Sequence, residues 1–269
     1  MSKTILITGA TDGIGLLTAQ KLVAQGHSVL IHGRSAEKLD QAAGTMNADV
    51  IKLRADLSDL NEVRALASEV QAQTDHVDVL INNAGVLKAP KTRLADGMDL
   101  RFVVNLYAPY LLTTLLLPII PASGRIVNLS SAAQAPVDPK AMRGEVILED
   151  MEAYAQSKLG ITVWSQEAAL DYASGPAFIA VNPGSLLASK MVKEGFGIPG
   201  NDLSVGANIL IAAALGDGFE HASGHYFDND ISRFSAPHSA AADAQHNAAI
   251  LTTLKELVER AEPQPPRLN

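Results

Sequence analysis

Tyr154 and Lys158 have the residue types and the spacing that proton transfer requires. They stand four positions apart near the start of a predicted helix, Met151–Tyr172, which places both side chains on one helix face. A phenol has an ordinary pKa of about 10, and a neighbouring positive charge lowers that pKa by stabilising the phenolate. The pair is therefore a candidate for proton exchange with an alcohol or carbonyl oxygen. The same spacing also occurs on ordinary amphipathic helix surfaces, so the surrounding residues must decide.

Two serines provide a candidate partner for this pair. Ser130 and Ser131 follow a predicted strand, Arg125–Leu129. In open α/β sheets, the carboxyl ends of the parallel strands face the crevice where ligands bind. A hydroxyl group at this position can therefore hold the oxygen of a substrate.

A glycine-rich turn follows the first predicted strand, Thr4–Thr8, and opens a helix. Gly9 allows a tight turn, Gly13 lets the backbone approach a pyrophosphate, and Gly15 lets the helix pack closely on the strand. The free N–H groups and the dipole at a helix N-terminus favour negative charge. The turn therefore predicts a dinucleotide site with contacts from Gly9, Thr11, Asp12, Gly13, Ile14 and Gly15.

The second predicted strand, Ser28–His32, ends with residues that bear on the choice of dinucleotide. An acidic residue at this point would bind both ribose hydroxyls of NAD and repel a 2′-phosphate. The chain has Gly33 instead, followed by Arg34 and Ser35, and a guanidinium matches the geometry of a phosphate. Arg34 could also be a solvated loop cation, and Asp12 favours NAD(H) if its charge lies near the adenosine ribose. We predict that NADP(H) binds, with NAD(H) as the second choice.

Three later motifs add candidate contacts to the dinucleotide. Asp56 follows the third predicted strand, Val50–Leu53, where it can accept a hydrogen bond from the adenine amino group or cap the helix that begins near Asp59. Asn-Asn-Ala-Gly at 82–85 follows the fourth strand, and Asn-Pro-Gly at 182–184 follows the sixth. From these motifs we predict cofactor contacts by Asp56, Leu57, Asn83, Ala84, Gly85, Pro183, Gly184 and Ser185, in addition to Tyr154 and Lys158.

Five motifs occur in an order that resembles the short-chain dehydrogenase/reductase family. They are the glycine-rich turn, the Asn-Asn-Ala-Gly motif, the strand-end serines, the Tyr-x-x-x-Lys pair and the Asn-Pro-Gly motif. The resemblance extends from Lys3 to about Phe227. It implies a doubly wound Rossmann-type α/β fold. It also implies direct hydride transfer between a nicotinamide and a carbonyl or alcohol, without a covalent intermediate.

The resemblance implies roles for four residues. Tyr154 would be the general acid/base that protonates the carbonyl oxygen during reduction, and Lys158 would lower its pKa and hold the nicotinamide ribose. Ser131, the second serine of the pair, would fix the substrate oxygen. Asn105 resembles the asparagine at a helix kink that holds a water in the proton relay to Lys158, although it could be an ordinary polar position.

Two features depart from the simplest pattern of the family. The interval from Ser131 to Tyr154 is longer than in the shortest members. Its additional segment, Ala135–Asp150, resembles the insertion in the retinol-dehydrogenase-like and protochlorophyllide-reductase-like branch. Family members often have a threonine after the Pro-Gly motif that holds the carboxamide. Here Ala188 has that position, and Ser189, a predicted cofactor contact, supplies a hydroxyl one residue later.

The segment that follows the Pro-Gly motif, residues 185–202, combines apolar residues with glycines. Segments of this kind can close over a site as a lid that excludes water. The same pattern is compatible with a fixed helix in the core. A lid of this composition predicts a small, largely apolar aldehyde or ketone as substrate, with no strong charge requirement.

The composition limits the other classes of function. Of the 269 residues, 47% are apolar and 19% are charged, which is typical of a globular enzyme. A net charge of −8 disfavours nucleic acid as a partner, and the absence of cysteine excludes thiolate nucleophiles. The seven histidines form no cluster with metal-ligand spacing, so no metal site is predicted.

The N-terminus has no signal-peptide pattern, and the longest apolar stretch, Leu106–Pro121, is shorter than a bilayer span. We therefore predict a helix buried in the protein, no membrane contact and a cytoplasmic location.

Strand and helix patterns alternate along the chain, which predicts a single domain, residues 1–269, with a parallel seven-stranded sheet flanked by helices. A proline-rich tail, residues 262–269, is expected to fray. Many family members associate through two long helices, which correspond here to Met98–Leu117 and Met151–Tyr172. Because the insertion precedes the second of them, we predict a homodimer or a monomer. The other predicted elements are strands Val77–Ile81, Phe178–Val181 and His225–Phe227 and helices Ile14–Gln25, Leu60–Gln73 and Ala244–Val258.

These residues favour an NADP(H)-dependent oxidoreductase that acts on a carbonyl or an alcohol. One alternative is an NAD-linked alcohol dehydrogenase that works in the oxidative direction. Another is a module that senses NADP(H) without chemistry. A pure binder has no need of Asn105, Ser131, Tyr154 and Lys158 together, which disfavours this last alternative.

Overall fold

The computed structural model describes residues 1–187 and 200–260. Within these ranges a twisted sheet of eight strands has the order β3-β2-β1-β4-β5-β6-β7-β8. Neighbouring strands from β3 to β7 are parallel, and β8 pairs antiparallel with β7. The strands are β1 Thr4–Ile7, β2 Ser28–Gly33, β3 Ile51–Arg54, β4 Val79–Asn82, β5 Arg125–Leu129, β6 Ala177–Asn182, β7 Tyr226–Asp228 and β8 Arg233–Ser235.

The sequence predicted the parallel part of this sheet and the doubly wound fold class, and both are confirmed. The predicted count of seven strands is wrong, because β8 adds an eighth strand at the edge. This strand has three residues, of which Arg233 and Phe234 are exposed, and so short a run cannot be distinguished from a loop by its residue pattern.

Helices cover both faces of the sheet, since alternate strand residues point to opposite sides. The described helices are α1 Gly13–Ala24, α2 Ala36–Gly44, α3 Leu60–Gln73, α4 Leu100–Phe102, α5 Ala108–Leu116, α6 Pro139–Met142, α7 Asp150–Asp171, α8 Leu203–Leu215 and α9 Ala244–Arg260. On β1, Leu6 packs into a core cluster formed with α3, α5, α7 and α9, whereas Ile5 and Ile7 pack into a second cluster with α1, α2 and α8. A π-helical turn, Val103–Tyr107, joins α4 to α5.

The apolar helical run Leu100–Ile119 lies inside this architecture. It has 20 residues and is long and apolar enough to cross a membrane by length and composition, so the prediction of a segment too short for that was wrong. Two thirds (67%) of an 18-residue window of this run is nevertheless buried inside the protein, and Phe102, Leu106 and Tyr107 have no exposed surface. The prediction of a buried helix is confirmed, because the sheet and α7 cover its apolar face.

The order of the strands reverses between β1 and β4, since the chain leaves β1 toward β2 and β3 and returns to pair β4 on the other side. The loops at the carboxyl ends of these two strands therefore diverge and leave a crevice. The glycine-rich turn follows β1 and the Asn-Asn-Ala-Gly motif follows β4, so both lie at this crevice.

Candidate active site

Tyr154 and Ser131 meet at the carboxyl end of β5. Tyr154 lies in the first part of α7, and the Ser131 side chain is close enough to act on the pKa of its phenol as a hydrogen-bonding neighbour. The Ser131 hydroxyl also accepts a hydrogen bond from the backbone N–H of Ala133 at 3.1 Å. Ser130 points elsewhere, because its hydroxyl bonds to that of Thr162 on α7 at 2.6 Å. The geometry therefore brings Ser131, and not Ser130, to the phenol of Tyr154.

Lys158 lies one helical turn after Tyr154 and is almost fully buried. Its Nζ atom is 5.6 Å from the centre of the Tyr154 ring and donates to the backbone carbonyl of Leu129 at 2.7 Å. Burial lowers the pKa of Lys158 to about 8, so the ammonium form still predominates at neutral pH. The positive charge is thus held at the carboxyl end of β5.

The pKa of Tyr154 differs from the direction that the sequence led us to expect. Burial raises the pKa of this phenol, and the hydrogen bond with Ser131 opposes the rise without cancelling it. Lys158 points its ammonium at the Leu129 carbonyl, 5.6 Å from the ring centre, so desolvation is the larger effect. In this state Tyr154 is a protonated phenol that can donate a proton.

Asn105 lies in the π-helical turn, where the helix is kinked. Pro109 has no N–H, so the backbone carbonyl of Asn105 lacks the donor that a regular α-helix would provide. The Asn105 side chain accepts from Val86 N at 2.8 Å and donates to Val86 O at 3.0 Å and Ser157 Oγ at 2.9 Å. The side chain therefore ties the π-helical turn to the loop after β4 and to α7.

The glycine-rich turn forms a cradle that side chains would fill. Gly9 has a φ of +66°, and a Cβ atom there would lie 2.9 Å from Ala84 Cα. A Cβ atom on Gly15 would lie 2.4 Å from both Gly9 O and Asn83 Nδ2. Asn83 braces this cradle from below by donating to Thr8 O at 2.8 Å and Gly9 O at 3.1 Å. The N-terminus of α1 opens onto the cleft, so the cradle fits a pyrophosphate.

The end of β2 forms the other half of the cleft. A Cβ atom on Gly33 would lie 2.5 Å from Thr11 Cγ2, so a larger residue at this position would displace the glycine-rich turn. Arg34 and Ser35 line the cleft as predicted, and Ser35 caps α2 by accepting from Lys38 N at 3.3 Å. Lys38 also lines the cleft. Lys38 was not predicted from the sequence, although its position in the first turn of α2, close after Arg34, was a usable signal.

His32 is a second residue that the sequence analysis did not assign to the site. Its Nδ1 atom accepts from the backbone N–H of Gly9 at 3.2 Å, and its Nε2 atom lies 3.1 Å from the carbonyl of Ala55. Burial lowers the pKa of His32 to about 4. The neutral ring, with its proton on Nε2, satisfies both contacts and joins the glycine-rich turn to the end of β3.

Some of the predicted cofactor contacts have other roles, lie outside the cleft lining or lie outside the described residues. Asp56 lines the cleft but does not cap α3, because Asp59 is the cap and accepts from Asn61 N at 2.8 Å. Gly184 and Ser185 lie beside the cleft, where Asp230 accepts from Ser185 N at 2.7 Å and from Ser185 Oγ at 2.5 Å. Ser189 and residues 188–199 of the predicted lid lie outside the described residues, as does the tail from 261. The predicted contacts that line the cleft are Gly9, Thr11, Asp12, Gly13, Ile14, Gly15, Arg34, Ser35, Asp56, Leu57, Asn83, Ala84, Gly85, Tyr154, Lys158 and Pro183.

These residues surround one continuous cleft of about 670 Å³. Val86, Leu87 and Val104 give the same cleft apolar walls. Ser131 and Asn105 are not part of the lining; Ser131 acts on the cleft through its contact with Tyr154. In the part of the chain that the structure describes, no group of three or more histidine and carboxylate side chains could hold a metal ion.

Comparisons with known proteins agree with this geometry. The family model of the short chain dehydrogenases matches residues 3–196. Mouse retinol dehydrogenase 13 is 32% identical to this chain and covers 95% of it and 84% of its own length. Human retinol dehydrogenase 11 is 34% identical over 84% of this chain and 77% of its own length.

Solved structures show the same likeness. A protein from Mycobacterium paratuberculosis superposes with a TM-score of 0.73 at 26% identity, covering 96% of this chain and 93% of its own. A short chain dehydrogenase from Escherichia coli CFT073, solved in complex with NADPH, has a TM-score of 0.69 at 26% identity, covering 84% of this chain and 96% of its own.

The chain belongs to the short chain dehydrogenase family and is an oxidoreductase that acts on alcohol or carbonyl groups. Within that family it groups with the retinol-dehydrogenase-like branch, as the insertion at Ala135–Asp150 predicted.

Proposed function

We propose that this protein transfers hydride between NADP(H) and a carbonyl or alcohol group of a small, largely apolar substrate. The observation that carries the proposal is that one cleft has Tyr154 and Lys158 at one end, here called the inner end, and Arg34 and Lys38 at the other, the outer end. Ser131 adjoins the inner end through Tyr154. NADP(H), when bound, supplies or accepts the hydride, and the protein supplies orientation and electrostatics.

The outer end of the cleft favours a dinucleotide with a 2′-phosphate. Arg34 and Lys38 are two cations beside the N-terminus of α2, and Gly33 leaves no room for the carboxylate that would bind the ribose hydroxyls of NAD. The similar dehydrogenase from Escherichia coli was solved with NADPH, which supports this choice. Asp12 is the residue that favours NAD(H), because its negative charge lies on the same cleft and would repel a 2′-phosphate. Its carboxylate also caps α1 by accepting from Gly13 N at 2.8 Å.

Tyr154 is the general acid in the reductive direction. Burial keeps its phenol protonated, so it gives a proton to the carbonyl oxygen, and Ser131 acts on this step through its contact with the phenol. Lys158, one turn along α7, would return a proton to Tyr154 through a water held at Asn105, the role that the family resemblance implies for that asparagine. In the oxidative direction the phenol must ionise, which a positive charge beside it favours.

The inner end of the cleft indicates the class of substrate. Val86, Leu87 and Val104 present apolar side chains to the same cleft as Tyr154. The relatives called retinol dehydrogenases are named for retinol, which is a long apolar primary alcohol. We therefore place apolar primary alcohols and their aldehydes first among the substrates. The protein would act in the cytoplasm as a monomer or homodimer.

The direct test is a screen of the purified protein against aldehydes, ketones and alcohols, with NADPH and NADH in parallel, followed by nicotinamide absorbance. Retinal and straight-chain aldehydes represent the apolar class, and short hydroxylated aldehydes serve as the matched polar set. We expect turnover of apolar aldehydes with NADPH. Tight binding of NADPH without turnover of any substrate would instead indicate a sensing module.

Replacement of Tyr154 by Phe tests the chemistry itself. A positioned general acid contributes about 10²–10⁴-fold to the rate, so kcat should fall at least about a hundredfold. The Kd for NADPH should change little, because the ring remains. Tyr172→Phe is the control, since Tyr172 lies at the exposed end of α7. Near-normal turnover by Tyr154→Phe would remove this residue from the mechanism.

A further inference from the structure

The backbone carbonyl of Ser131 receives hydrogen bonds from two side chains. Tyr226, on β7, donates its hydroxyl to this oxygen at 3.1 Å. Gln134, three residues along the chain, donates its amide nitrogen to the same oxygen at 2.9 Å. One carbonyl group is therefore held from two directions by residues that the proposed reaction does not itself use.

This arrangement matters because Ser131 lies just outside the sheet. β5 ends at Leu129, and Ser130 still donates its N–H to Val181 O on β6 at 2.8 Å. Ser131 has no such ladder contact in the described structure, so the sheet does not set the direction of its side chain. At Ser131, the hydrogen bonds from Tyr226 and Gln134 take the place of the backbone hydrogen bonds that a sheet would provide.

Both donors are themselves well fixed. Tyr226 is buried, and its strand pairs with β6 and β8. Burial is the main reason that the pKa of Tyr226 lies far above its ordinary value, with Asp228 and Asp230 adding to the rise, so its hydroxyl stays a donor. The Gln134 oxygen accepts from His238 N at 2.9 Å, which orients the amide nitrogen toward Ser131.

We propose that Tyr226 and Gln134 are positioning residues that hold the Ser131 hydroxyl against the phenol of Tyr154. This inference rests on the proposed function, because it assigns to Ser131 a part in the chemistry of Tyr154. Tyr226 and Gln134 act through Ser131 and touch neither substrate nor cofactor.

The consequence is an effect on the acidity of Tyr154. The hydrogen bond from Ser131 lowers the pKa of that phenol, and Lys158 is the charged group that faces it. When Ser131 is held less firmly, this hydrogen bond weakens and the pKa of Tyr154 rises. Alcohol oxidation needs the phenolate, so the acidic limb of its pH profile should move to higher pH.

Tyr226→Phe removes one donor and keeps the ring, and Gln134→Met removes the other donor and keeps the side-chain length. For each variant we expect the acidic limb of kcat for alcohol oxidation with NADP⁺ to move upward by about half a pH unit, which is roughly a threefold loss of rate below that pKa. The double variant should shift further than either. The Kd for NADPH should be unchanged, because neither side chain lines the cleft.

Two measurements separate the possible failures. The pKa of Tyr154 is also measured without turnover, as the tyrosinate absorbance with NADP⁺ bound, by subtracting the Tyr154→Phe protein in each background. An unshifted phenol pKa in both variants overturns the inference, whether or not kcat falls, since a merely structural loss would lower stability alone. Activity that survives in Tyr154→Phe overturns the proposed function instead. Tyr172→Phe, which leaves Ser131 untouched, should shift neither titration.

Discussion

Arg34 and Lys38 are single side chains whose charges are expected to select the dinucleotide. Both line the outer end of the cleft, and Arg34 presents a planar donor set that suits a phosphate. Asp12 lies on the same cleft with the opposite charge. The balance of these three groups is a property of individual residues, and it can be measured by substituting one at a time.

Arg34→Leu should raise the KM for NADPH by about tenfold or more, because a hydrogen bond to a charged group contributes about 1.5–3 kcal/mol. The KM for NADH should stay nearly unchanged, since NADH has no 2′-phosphate. Lys38→Met should act in the same direction. Arg233→Leu on β8 removes a like charge at the opposite edge of the sheet and is the control. An equal increase in KM for NADPH and NADH would contradict the assignment of Arg34 to the 2′-phosphate.

The insertion Ala135–Asp150 is the element that most distinguishes this chain, and it is firmly anchored. Tyr107 donates its hydroxyl to Met142 O at 2.7 Å, and Arg93 donates to Gly144 O. Arg143 donates to Thr253 Oγ1 on α9 at 3.0 Å. At its end, the buried Arg101 joins Asp99 to Asp150 at the start of α7, which carries Tyr154. The insertion thus supports the helix on which the chemistry depends.

Gly144→Ala tests how closely the insertion packs. Gly144 has a φ of +74°, and a Cβ atom there would lie 2.3 Å from Gly97 O. Gly26 has a similar φ of +84° with nothing within 4 Å of a Cβ atom, so Gly26→Ala is a matched control for backbone strain alone. We expect the free energy of unfolding, measured in urea, to fall by about 1 kcal/mol in Gly26→Ala and by clearly more in Gly144→Ala. Equal decreases in the free energy of unfolding for the two variants would mean that the loop at Gly97 moves aside at little energetic cost.

The stability of the whole molecule should depend on pH through His32. Its pKa is lowered from 6.5 to about 4 by burial, so the unfolded chain binds a proton that the folded chain does not between these two values. Stability is therefore fully present above pH 6.5 and falls as the pH decreases toward 4, by roughly 3 kcal/mol in total from this group. His32→Gln should flatten the slope of unfolding free energy against pH in that window. An identical slope in both proteins would contradict this role of His32.

The oligomeric state is a second property of the whole molecule. Ile250 and Leu254 of α9 belong to the same core cluster as Leu111 of α5 and Trp164 of α7. The insertion packs into this cluster as well, through Val137 and Met142. Because α9 and the insertion cover part of the two long helices, we expect a monomer or a homodimer by light scattering. The mass of a tetramer would show that these helices still provide an interface.

The sequence by itself determined the identity, order and spacing of the reactive groups. Tyr154 and Lys158 share a helix face, and the glycines from Gly9 to Gly15 form one turn, because both features depend on neighbours within a few positions. The parallel strands were predictable for the same reason, since each has its own apolar pattern. The three-residue strand β8 has no such pattern, and only its pairing with β7 defines it.

Tertiary structure decided the features that require distant parts of the chain to meet. His32 contacts both Gly9 and Ala55, and the carbonyl of Ser131 meets Tyr226 from 95 positions away. The upward shift of the Tyr154 pKa comes from burial, which exists only when sheet, helices and loops close around the phenol. Desolvation and long-range hydrogen bonds depend on the packing of the whole chain, and no local pattern of residues encodes them.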